Sequence, residues 1–219
     1  MTNIKAPFFE IGPKSYLYGD DVLALALAAD KASEKYGVDI IFTCPVVEIR
    51  RVVEATKHIH VFAPHMDPIP VGRGTADTLA ESLVAAGAEG TQLNHVEKPL
   101  DFDTLAATIA RAKEVGLMTM VCADSMAEAS KITALKPTCV VAEPSELIGT
   151  GVSVGPEYVA AAFECVKSVD QDVLVLTAAG IANGEDVYNT IIAGADATGS
   201  SSGVAKAADR PAMVDEMIS

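Results

Sequence analysis

Three residues of this 219-residue chain have the types and settings that chemistry needs: Lys14 in "EIGPKSY", His95 in "GTQLNHVEK" and Glu143 in "CVVAEPSELIGTG". Each stands at the end of an apolar run. A carboxylate at the tip of a buried strand is expensive to desolvate, and here a proline and a Gly-Thr-Gly follow it at once. A cation, an imidazole and a desolvated acid are the residue types of general acid–base chemistry, provided something brings positions 14, 95 and 143 together.

The elements that could do so are regular. "APFFEIGPK" reads as strand and "DDVLALALAADKASEKYG" as a helix that opens on acids and closes on glycine. The alternation recurs through "VDIIFTCP" and "VVEIRRVVEATKH", "IHVFAP" and "GTADTLAESLVAAG", "GTQLNH" and "DFDTLAATIARAKEVG", and "LMTMVCAD" and "SMAEASKITALK". It continues with "TCVVAE" and "GPEYVAAAFECVKSVD", "DVLVLTAAG" and "NGEDVYNTIIAG", and "ADATGSSS" and "GVAKAADRPAMVDEMIS". Eight strand–helix units with near-continuous apolar strands predict parallel pairing under a cover of helices, and hence an α/β fold with one (β/α)8 barrel domain over residues 1–219. An open doubly wound sheet is the alternative; it commonly carries a Gly-rich turn after its first strand, and "EIGPKSYLYG" is no G-x-G-x-x-G. In a barrel, the C-terminal strand ends share one mouth. Lys14, His95 and Glu143 would meet there, beside the small-residue loops "AAGIANGED" and "GSSSGVAK".

Composition limits the partners. A formal charge of −14 argues against nucleic acid or an anionic membrane surface, both of which demand a basic face. The chain has no uncharged apolar span of 18 residues and no basic n-region before an apolar stretch, so a cytoplasmic protein is expected. Cys44, Cys122, Cys139 and Cys165 form no C-x-x-C, and buried reduced thiols are expected rather than metal ligands. Neither a metal nor a cofactor is implied. His58, His60 and His65 read as surface or hydrogen-bonded structural residues.

Motif order adds a resemblance. "APFFEIGPKSY", "FAPHMDPIPVGRGT", "GTQLNHVEK", "VAEPSELIGTG", "AAGIANGEDV" and "GSSSGVAKAAD" resemble the triosephosphate isomerase family, specifically its compact archaeal-type branch, from about residue 6 onward. The most specific element is "AEPSELIGTG", which is similar to that family's catalytic-base and hinged-lid segment. The resemblance implies Glu143 as the base, His95 as the electrophilic imidazole, Lys14 as the cation at the substrate, and Glu97 as the acid that pairs with the lysine. It implies substrate and phosphate contacts at Gly12, Lys14, Ile148, Gly149, Gly180, Ala182, Ser201, Ser202 and Gly203. Thr75 matches a residue that reaches into a neighbouring subunit's site, so a homodimer or homotetramer acting on a small phosphorylated sugar is implied.

The chain departs from the family pattern at several of these positions. The asparagine of the family's N-x-K is Gly12 here, the serine after the histidine is Val96, the glutamine before His65 is Pro64, and Ala178-Ala179-Gly180 stands where another glycine is usual. These changes leave open an isomerase of a related tetrulose phosphate, or a barrel that binds a phosphorylated metabolite without turnover.

Overall fold

A computed structural model describes residues 4–148 and 150–219. Eight parallel strands close into a barrel in sequence order: β1 (Phe8–Ile11), β2 (Asp39–Thr43), β3 (Ile59–Ala63), β4 (Gly90–Leu93), β5 (Met118–Ala123), β6 (Cys139–Ala142), β7 (Leu174–Thr177) and β8 (Ala197–Ser200). The first and last strands pair directly, Glu10 opposite Gly199 and Ile11 opposite Ser200. This closed ring is the (β/α)8 barrel that the alternation predicts, and it excludes the open sheet.

The helices follow the strands they cover: α1 (Asp20–Tyr36), α2 (Ile49–Ala55), α3 (Ala80–Ala86), α4 (Phe102–Glu114), α5 (Met126–Thr133), α6 (Pro156–Val169), α7 (Gly184–Ile192), then α8 (Ser202–Ala205) and α9 (Arg210–Ile218). Their ends show why they stop and start where they do. Gly37, in the left-handed conformation, closes α1 by donating its N–H to the Ser33 carbonyl at 2.8 Å. Asp101, Ser125, Asn183 and Asp209 cap α4, α5, α7 and α9, each side chain accepting from a backbone N–H of the first turn.

Two helices differ from the sequence reading. The segment "GTADTL" is loop, and α3 begins only at Ala80, because Asp67 claims the end of this stretch. Its carboxylate accepts from the Thr78 N–H at 2.7 Å and its own N–H donates to the Thr78 carbonyl at 3.0 Å, which closes a long loop after β3. The final helix is broken in two. Asp209 caps a new start with Pro211 in its first turn, and Arg210 donates to the freed Ala205 carbonyl at 2.9 Å.

Strand alternation sorts the core into two parts. Phe9 and Ile11 of β1, Ile40 and Phe42 of β2, and their counterparts pack outward against the helices. Phe8, Ile41, Phe62, Met120, Cys122, Cys139, Val141 and Leu176 fill the barrel interior. Cys44, Cys122 and Cys139 are buried free thiols, as expected, while Cys165 is only half-buried. Among the described residues, no helix is long and apolar enough to cross a membrane.

Candidate active site

A cavity of about 850 Å³ opens at the C-terminal end of the barrel. Gly12, Lys14, His95, Glu97, Glu143, Ile148, Gly180, Ala182, Ser201, Ser202 and Gly203 all line it. Strand order alone brings these distant positions together, since each follows the end of a strand. Gly149 lies outside the described residues. Thr75 is exposed in the loop after β3 and does not line this cavity.

Lys14 is the hub of one side. Its ammonium donates to Glu97 Oε1 at 2.9 Å and lies 3.1 Å from His95 Nε2. It holds this position from a left-handed backbone, φ 46°, and Asn94 just before His95 is left-handed too, φ 57°. Non-glycine residues in this region carry strain that the surroundings must hold in place, and such strain gathers at functional sites. Asn94 is anchored by donating to the Cys122 carbonyl and to Glu128, both at 3.0 Å, and it accepts from the Leu100 N–H.

The imidazole has a defined polarity. The Glu97 N–H donates to His95 Nδ1 at 3.1 Å, so this hydrogen bond assigns the ring proton to Nε2, the nitrogen facing Lys14. Two donors, the Nε2–H and the ammonium, then face each other at 3.1 Å. Such a pair is satisfied when an oxygen acceptor enters between them. Burial, and then the Lys14 charge, hold the His95 pKa below the ordinary histidine value, so the ring is neutral near pH 7. Glu97 is pushed up by desolvation, but the Lys14 hydrogen bond and charge bring it net below the usual carboxylate range.

Glu143 follows β6 directly, its N–H donating to the Ala123 carbonyl at 3.1 Å. Burial raises its pKa; the Lys14 charge opposes the rise, while Glu97 and Asp124 add to it. It is a more basic carboxylate than an exposed one. The chain beyond it makes a 3-10 turn at Ser145–Leu147, fixed by the Ser145 N–H on Asp124 Oδ1 at 2.7 Å.

The opposite side is built from small residues. A Cβ at Gly180 would lie 2.1 Å from the Val152 carbonyl oxygen, so only glycine lets the segment after β6 approach the loop after β7. Ser153 Oγ donates to Asp186 Oδ1, and Asp186 Oδ2 accepts from the Ala182 N–H at 3.0 Å, which ties the two loops to one carboxylate. The Ser201 hydroxyl is buried with no hydrogen-bond partner among the described residues. An orphaned buried hydroxyl beside a cavity is costly unless a ligand completes it.

Sequence reasoning missed several cavity residues, among them Glu10, Thr43, Thr150, Lys98 and Lys206. Glu10 left a signal: an acid inside "FFEI" at the alternation position that points into the barrel. His58, His60 and His65 each face a carboxylate, Glu34, Glu89 and Asp67 respectively, although His65 also reaches the cavity rim. Among the described residues no group of three or more His, Cys, Asp or Glu side chains is gathered as metal ligands would be.

The family model for triosephosphate isomerase matches residues 14–217. Over 220 residues the chain is 34% identical to a triosephosphate isomerase of Saccharolobus solfataricus, with 98% of this chain and 96% of that protein covered. It is 36% identical to one of Sulfolobus acidocaldarius, covering 98% and 95%, and 37% identical to one of Methanocaldococcus jannaschii, covering 91% and 92%. Each match thus spans more than nine-tenths of this chain and of the relative. By the extent of that match the chain belongs to the triosephosphate isomerase family.

Proposed function

We propose that this chain interconverts glyceraldehyde 3-phosphate and dihydroxyacetone phosphate through an enediolate, with Glu143 as the base. Membership of the family makes it an intramolecular oxidoreductase, and the relatives' shared name does not favour the tetrulose phosphate alternative. One observation carries the assignment of roles: two donors, on His95 and Lys14, converge 3.1 Å apart in the cavity that a desolvated carboxylate also lines. A substrate carbonyl oxygen between those donors would gain two hydrogen bonds, which strengthen as charge develops on it. Glu143 would take the proton from one carbon and return it to the next. Segment 144–155 would cover the site and exclude water that could quench the intermediate. The phosphate would be held by Ser201, Ser202, Gly203 and the loop at Gly180–Ala182, with Ile148 on the covering side and, as the family resemblance implies, a contact from Gly149.

The test is Glu143→Gln, assayed with both triose phosphates and with four- and five-carbon sugar phosphates. Turnover of triose phosphate should fall roughly 100- to 10,000-fold while the fold persists. Near-normal turnover by the variant would sink the assignment.

A homodimer or homotetramer is the second part of this reading. Exposed Tyr18, Val47, Val71 and Val96 lie in the segments that follow β1, β2, β3 and β4, Val47 on a 3-10 turn at Val46–Glu48, on the half of the mouth that includes the Thr75 loop. Apolar side chains gathered on one flank suit a self-complementary contact. Light scattering on the active protein should report at least a dimer; a fully active monomer refutes it.

A further inference from the structure

The cavity holds an acid that the roles above leave idle. Glu10 lies on β1 at a position that alternates with the outward-packed Phe9 and Ile11, so its side chain enters the barrel and forms part of the cavity floor. Thr43, at the end of β2, donates to Glu10 Oε1 at 2.5 Å. The second oxygen, Oε2, accepts no hydrogen bond among the described residues and is not sealed from solvent.

Two glycines make the room. A Cβ at Gly12 would sit 2.8 Å from Glu10 Oε1, and a Cβ at Gly199, across the β1–β8 seam, would sit 2.8 Å from the Glu10 carbonyl oxygen, 2.9 Å from the Glu10 Cβ and 3.0 Å from Oε2. Gly199 thus lets the two backbones approach, and Gly12 leaves the acid side chain where it stands. The neighbourhood leaves room for this carboxyl, which no cation among the described residues neutralises by direct contact, Lys14 being paired with Glu97. A half-buried acid with no ion-pair partner among the described residues, one oxygen satisfied and the other open to a ligand cavity, is costly unless it serves the ligand.

We propose that Glu10 is a catalytic residue of this site, its Oε2 donating a hydrogen bond to an oxygen at the hydroxy-carbonyl end of the substrate. The proposal rests on the isomerase reading and adds a third donor to those of Lys14 and His95. Thr43 fixes which oxygen can donate: by giving its proton to Oε1 it leaves the carboxyl proton on Oε2. Desolvation lifts the Glu10 pKa to about 7; the Thr43 hydrogen bond and the Lys14 charge pull against this, and the Glu143 carboxylate adds to it. The donor is therefore present below neutrality and lost as pH rises through about 7.

The experiment measures kcat/KM for triose phosphate from pH 5.5 to 9 in wild type, Glu10→Ala, Glu10→Gln and Gly12→Ala, with competitive inhibition by inorganic phosphate as the control. Glu10→Ala should lose on the order of 100-fold in kcat/KM, as for one oxyanion donor, with phosphate inhibition unchanged. Glu10→Gln, whose amide donates at every pH, should recover most of that loss and lack the wild-type decline near pH 7. Gly12→Ala leaves the acid in place but pushes it aside, and should fall between the two. If wild type turns over triose phosphate and Glu10→Ala matches it, or if Glu10→Gln keeps the decline near pH 7, the role is refuted. If wild type shows no triose phosphate turnover, the isomerase reading fails and this proposal falls with it.

Discussion

The two flanks of the barrel mouth are built by different means. On the flank of β1 to β4, Lys14 joins His95 and Glu97 side chain to side chain, Asn94 is held by Glu128 and the Cys122 carbonyl, and Lys14 and Asn94 sit on left-handed backbone. On the flank of β6 to β8, Gly180, Ala182, Ser201, Ser202 and Gly203 offer backbone and the buried Ser201 hydroxyl, which has no partner among the described residues, and the loops are tied to each other through Asp186. The first flank is a preorganised charge arrangement, suited to a developing oxyanion. The second is a polar cradle with small side chains, suited to a group such as phosphate that is held but does not react. The division explains how a chain of formal charge −14 can bind an anion: the positive potential is local and most of the cradle is uncharged.

Removing one member from each flank would separate the two modes. Lys14→Ala should have the largest effect, on the order of 100-fold in kcat/KM, because it deletes a charge-assisted bond and frees Glu97 at once. An unchanged affinity for a phosphate-bearing inhibitor together with unchanged kcat would break the distinction.

Glu10 gives the intermediate effect, and it is one of stability. Its folded-state pKa of about 7 lies above its ordinary 4.5, so the native state binds the proton more tightly than the unfolded chain. Stability must then decline as pH rises through that window, by on the order of 2 kcal/mol after allowance for water in the cavity. Glu10→Gln does not titrate and should escape the decline. Thermal unfolding of both proteins from pH 5 to pH 8 should show the variant gaining relative to wild type; a constant difference would mean that Glu10 is already ionised at pH 5.

Ser201→Ala should be the mildest. Losing one neutral hydrogen bond to substrate should raise KM roughly threefold to tenfold with kcat little changed. The unliganded variant should be no less stable than wild type, because the hydroxyl it removes has no partner among the described residues. A loss of stability would show that Ser201 is structural rather than part of the cradle.

Side chains that announce their chemistry were readable along the chain, and backbone arrangements less so. The acid ending "CVVAE" and the periodic apolar strands point directly to the mouth and the barrel. The late start of α3 and the break before α9 depend on Asp67 and Asp209 binding particular N–H groups, which periodicity does not reveal. Glu10 was hidden for a related reason. "FFEI" looks like a strand with one odd residue, and only the closed β1–β8 seam places Gly199 against it and Gly12 above it. The missing family asparagine could be seen at Gly12, but not that another side chain fills the space.

That filled space constrains the history of the protein as well as its chemistry. With Glu10 in place, a side chain acquired at position 12 meets the acid, and with glycine there, loss of the acid leaves a hole at the floor of the mouth. Position 199 is held to glycine by the Glu10 carbonyl oxygen, whatever side chain stands at position 10. Lineages that carry Glu10 with Gly12 should keep the two together, and exchange them for the N-x-K arrangement through paired changes.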